Sequence, residues 1–127
     1  MTILSIELCR TNLEVIQNTA DTLCENEPSI IMEHLNQCSS LLGLCAITSA
    51  SLVYHFKTQS GMHLQVALKA KVPPSMIKEY IESCMPELTA EMKLIDRLQA
   101  AITHKIDALR SMLSYEKQER FMANQGN

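Results

Sequence analysis

His34 and Cys38 stand four residues apart and Cys45 follows seven further on. On a helix all three share one face, where an imidazole and a thiolate could approach one metal ion. At 1.5 Å per residue, however, Cys45 is about 10 Å beyond Cys38 along the axis, outside a shared coordination sphere, so a two-residue site is the most this helix can offer. The same cysteines lie on an apolar seam, where a free thiol behaves as a small hydrophobe. Core packing is therefore the expected role of His34 and Cys38, with a metal or thiol sensor as the alternative and no cofactor expected. A nucleophilic centre would need a nucleophile, a base and an orienting acid. Cys84, the four histidines and the scattered serines offer no strand-turn-helix elbow and no spacing that selects a set. The patterns GxxxxGK[ST], GxGxxG and HExxH do not occur. The chain is expected not to be an enzyme.

A second constellation is electrostatic. From Lys57 to Lys78 the chain carries Lys57, Lys69, Lys71 and Lys78 together with His63 and no acid. Four lysines could give a salt-sensitive, sequence-independent hold on phosphates, so a nucleic-acid accessory role is the main alternative function. Further along, Lys93, Arg97, Lys105, Arg110, Lys117 and Arg120 are interleaved with Glu91, Asp96, Asp107, Glu116 and Glu119, the pattern of a solvated helix face. Eight methionines, among them Met76, Met85, Met92, Met112 and Met122, supply adaptable apolar surface for a core or for docking a protein.

The elements that must position these residues follow from apolar periodicity. Leu88, Met92, Ile95, Ile102, Ile106, Leu109 and Leu113 recur at alternating steps of four and three, broken only at Gln99. This is a heptad stripe on a helix expected over about 86–121, opened by Pro86. Ile31, Leu35, Cys38, Leu42, Cys45, Leu52 and Phe56 repeat the pattern after Pro28 and predict a helix over about 28–57, with a middle rich in small side chains that permits close helix approach. A helix over about 3–24 is expected from Ile6, Cys9, Leu13, Ile16, Ala20 and Leu23, with Thr11 and Glu14 able to form a capping box and a short strand possible at the very start. Between 58 and 72, Met62, Leu64, Val66, Leu68 and Ala70 alternate with other residues. The period suggests a strand, but a lone strand lacks a partner and the composition favours a helix, kinked or continuing from its predecessor and stopped by Pro73-Pro74. A short helix over about 75–84 and a frayed tail over about 123–127 complete the chain.

With 127 residues, 46% hydrophobic and 20% charged, the composition is that of a single helical domain over 1–127 able to bury a core without disulfide or metal. Three glycines and four prolines argue against a β-sandwich or a Gly-rich nucleotide fold. The net charge of −3 argues against general coating of DNA or an anionic membrane, yet it divides unevenly, one base against six acids in 1–56 and ten bases against eight acids in 57–127. Five cysteines without a CxxC pair and an N-terminus unlike a secretory signal lead to an expected cytoplasmic location. The longest apolar run, Leu41 to Ile47 around Gly43, is short for a bilayer crossing, so no membrane partner is expected.

The C-terminal half, with Pro74-Ser75, Lys78, Glu91 to Leu98 and Ala101 to Lys117, resembles small uncharacterised helical proteins of bacteriophages and integrative elements. That resemblance implies a mobile-element origin and action by binding a protein or accompanying DNA metabolism. The expected molecule is an all-α, elongated bundle of four or five helices that binds a protein partner as an inhibitor or adaptor. It is expected to form a homodimer through Ile95, Ile102, Ile106, Leu109 and Leu113.

Overall fold

The computed structural model describes residues 2–125. The chain is all-α: α1 (Ile6–Asp21), α2 (Pro28–Lys69), a 3-10 turn (Pro74–Met76), α3 (Ile77–Cys84) and α4 (Pro86–Gln125). No strand occurs among the described residues. At 1.5 Å per residue α2 and α4 are each about 60 Å long, which makes the bundle elongated.

Local chemistry sets the ends of these helices. Ser5 caps α1, its Oγ accepting from the Leu8 backbone N–H at 3.1 Å, so the helix starts upstream of the Thr11–Glu14 box expected from the sequence. Thr11 instead donates to the Glu7 carbonyl within the helix. Residues 2–5 belong to no helix or strand: the Leu4 N–H donates to Ser51 Oγ at 3.0 Å, and His55 Nε2 donates to the Leu4 carbonyl at 2.6 Å. These two bonds tether the N-terminus to α2. Pro28 and Pro86 occupy the opening turns of α2 and α4, where a missing N–H costs no helical bond.

Of the forms expected for residues 58–72, the helix continuing from its predecessor is the one found: α2 runs on through Gly61 to Lys69. No proline interrupts it before Pro73, and Ala67, Leu68 and Lys69 are strong helix formers. It ends in a Schellman turn, with Val72 N–H on the Ala67 carbonyl at 3.1 Å and Lys71 N–H on the Leu68 carbonyl at 3.2 Å. Lys71 takes the left-handed position, φ 57°, where a side chain costs about 1–2 kcal/mol relative to glycine. α4 also outruns its expected limit, reaching Gln125, so the described part of the expected tail is helical.

α4 runs parallel to α1: near one end Arg10 pairs with Glu87 and Glu91, and near the other Lys105 Nζ donates to the Ala20 and Thr22 carbonyls, placing a cation on the negative end of α1. α1 runs antiparallel to α2, with Leu4 bonded to Ser51 and Asn12 to Thr48, so α4 is antiparallel to α2 as well. The core lies between these three helices: Cys9, Leu13 and Ile16 from α1; Ile31, Cys38, Leu41, Cys45 and Leu52 from α2; Leu88, Ile95, Leu98, Ile102, Ile106, Leu109 and Leu113 from α4. This corrects the expected dimer seam. Ile95, Ile102, Ile106, Leu109 and Leu113 are buried inside one chain because α1 and α2 cover the heptad stripe, leaving none of it for a second subunit.

α2 also contains an 18-residue window of mean hydropathy 1.3, long and apolar enough by composition to cross a membrane. Counting consecutive apolar residues overlooked it because serines and threonines interrupt the run. In this fold one side of that stretch is the central wall of the core.

Candidate interaction surfaces

His34 and Cys38 both face the core, His34 8% exposed and Cys38 fully buried. Among the described residues no group of three metal-ligating side chains gathers around them. Lys105 stands close enough for its ammonium to disfavour a positive charge on His34, the opposite of what a cation site needs. The candidate pair is thus an interior packing element. His34 Nε2 has no hydrogen-bond partner among the described residues.

Burial first, and Lys105 second, hold the His34 pKa below its ordinary value. Between that lowered value and the unfolded value near 6.5 the unfolded chain binds a proton that the folded chain does not, so stability is complete above pH ~6.5 and falls as pH drops through the folded value. Urea denaturation at pH 5 and pH 7.5 should show this loss, and His34→Gln should shrink the difference between the two midpoints. An unchanged difference would remove His34 as its source.

The three core thiols are poor nucleophiles. Burial pushes Cys9, Cys38 and Cys45 up, away from the thiolate form, and Glu91 adds to the effect at Cys9. Cys84 lies in a different setting, a cleft of about 350 Å³ where the start of α1, the middle of α2 and the α3–α4 junction meet. Arg10, Gln59, His63 and Glu87 share its lining. The Arg10 guanidinium is tied down by Glu87 and Glu91, each at 3.0 Å, so this polar group braces the bundle. His104 is exposed, and His55 is occupied by the Leu4 carbonyl.

Two surfaces remain. The first is the side of α2 turned away from the core. Between Glu33 and Lys57 there is no Asp, Glu, Lys or Arg, and on the outward side lie Met32, Asn36, Ser39, Gly43, Ala46 and Tyr54, all exposed. A Cβ placed on Gly43 would meet no atom within 4 Å, so this face is open. The second is the far end of α2, where Lys69, Lys71 and, in α3, Lys78 are exposed around the turn, whereas Lys57, also exposed, lies twelve residues, about 18 Å, back along the helix. None of the four forms an ion pair among the described residues, whose only ion pairs are those of Arg10. The open α2 face escaped the sequence reading because the heptad pattern directs attention to the buried side, although the uncharged span from 34 to 56 was its visible sign.

No family model, curated protein or solved structure matches this chain. Fold and surface chemistry alone define its class, an elongated all-α bundle with an uncharged helix face and a lysine-bearing tip.

Proposed function

We propose that this chain is a non-catalytic interaction protein whose protein partner is a second copy of itself, docked along the outward face of α2. The observation that carries this reading is the open, uncharged face centred on Gly43, which lets another helix approach closely. Shape supplies the register. Gly43 and Ile47 lie equally far from the level of Cys45, as do Asn36 and Tyr54, and all four fall within about 40° of one another around the helix. In an antiparallel pair with its two-fold axis at that level, each Gly43 receives Ile47 of the partner subunit, and each Asn36 faces Tyr54 of the partner subunit. The contact is self-complementary and closed, as a two-fold interface requires. The burial of Cys9, Cys38 and Cys45, which pushes these thiols away from the thiolate form, supports the non-catalytic reading. An adaptor or inhibitor carried by a mobile element is the setting that the resemblance of the C-terminal half implies.

Sedimentation of the native chain should give a dimer, and Gly43→Arg should give a folded monomer, since the new side chain points into open space and replaces a helix-interior glycine. A native chain that stays monomeric at high concentration would refute the proposal. A nucleic-acid accessory role is the alternative favoured by the four exposed lysines. It predicts DNA retention that weakens, with a flatter salt dependence, when Lys69 and Lys71 are neutralised.

A further inference from the structure

The tip of α2 exposes more apolar surface than its neighbours cover. Met62 is 70% exposed, Leu68 59% and Met76 52%, with Leu64 and Val66 also exposed. The cause lies in the sequence. Apolar residues spaced by two lie about 200° apart around a helix and cannot share one face, so helical structure from Met62 to Leu68 spreads them around the axis. Only Ala67 in this stretch is buried. The same tip carries Lys69 and Lys71 at the helix end and Lys78 just beyond the turn, against one acid, Glu79, which shares a cleft with Lys71 and Met76. Outside residues 57–78 the chain holds seven bases against fourteen acids, so the excess of lysine is local to this tip. Lys71 also keeps a cation at a left-handed position where glycine would be less strained.

We propose that the tip formed by the last turns of α2 and the Pro73–Met76 turn docks end-on onto an anionic lipid bilayer. Lys69, Lys71 and Lys78 meet headgroup charge, while Leu68 and Met76 enter the boundary with the acyl chains. Lipid accounts for more of the surface than nucleic acid does. Phosphates would satisfy the lysines but give the exposed Leu and Met side chains nothing, and from Lys57 to Lys78 there is no Phe, Tyr or Trp on which a base could stack. The net charge of −3 argues against general coating of an anionic membrane, whereas a tip contact depends on the local charge.

The test is flotation of the full chain at low ionic strength with vesicles of phosphatidylcholine alone and of phosphatidylcholine mixed with phosphatidylglycerol, beside retention of duplex DNA. Binding is expected to the mixed vesicles only. It should weaken about tenfold in Lys69→Gln/Lys71→Gln and by a similar factor in Leu68→Ser/Met76→Ser. All four side chains are exposed, and circular dichroism should confirm that both variants remain helical. Binding should also persist in Gly43→Arg, which separates this contact from the α2 dimer. No binding to the mixed vesicles, equal binding to phosphatidylcholine, or an unaltered Leu68→Ser/Met76→Ser variant would overturn the proposal. DNA retention dependent on Lys69 and Lys71 without vesicle binding would assign the tip to nucleic acid instead.

Discussion

Replacing Ile102 by Asp is expected to unfold the chain, with loss of helical circular dichroism, and not to split a dimer into folded monomers. Ile102 is fully buried within one chain, in a cluster that includes Leu52 and Ile16. Truncation to Ala alone should cost about 2–5 kcal/mol through lost burial and the cavity left behind. An aspartate adds the penalty of placing a carboxylate, or the carboxyl group it becomes by shifting its pKa, among apolar side chains. Against a total stability of about 5–15 kcal/mol for a domain, the combined effect is decisive. Thermal melting of Ile102→Ala and Ile102→Asp beside the native chain measures it. A folded, monomeric Ile102→Asp protein obtained from a dimeric parent would place the heptad stripe between chains and reverse the packing described above. The same reasoning extends to Ile106, also buried against its own chain.

The second large effect is expected at a polar contact inside the bundle. Asn12 Nδ2 donates to Thr48 Oγ1 at 3.1 Å, with Asn12 nearly buried and Thr48 fully so. Thr48→Val keeps the side-chain shape but strands the amide, and should cost about 1–3 kcal/mol. Asn12→Leu strands the Thr48 hydroxyl less severely, because that group can turn to a carbonyl in the preceding turn of its own helix. The double variant Asn12→Leu/Thr48→Val removes both polar groups and should recover most of the loss, since a buried hydrogen bond contributes little net energy compared with the penalty for breaking half of it. Urea denaturation of the two single variants and the double variant gives the coupling directly. Additive losses would mean that the contact has no energetic coupling.

The two outcomes would divide the roles of the long helices. α4 contributes the apolar stripe, and α2 contributes a more mixed inner face in which Thr48, Ser51 and His34 accompany Cys38, Cys45 and Leu52. A helix whose inner face needs small and polar groups, and whose outer face carries no charge, can have neighbours on both sides.

The sequence by itself determined the helical class, the two long helices and the heptad line, because four-three spacing on a chain poor in glycine and proline has few other solutions. Pro28 and Pro86 also fixed two helix starts, since a first-turn proline loses no hydrogen bond. Tertiary structure decided what each face meets. Periodicity shows that Ile95 to Leu113 must be covered but does not say by what; only the antiparallel placement of α2, with α1 laid alongside, shows that the cover belongs to the same chain. It likewise decided that His34 lies beside the Lys105 ammonium and that Arg10 reaches Glu87 and Glu91 across the bundle. These pairs join residues far apart in the chain, and no local spacing encodes which will meet. The alternating residues 62–68 were legible as apolar, but their exposure was settled only when α2 ran on as a helix, because helical geometry turns a period of two away from any single buried face.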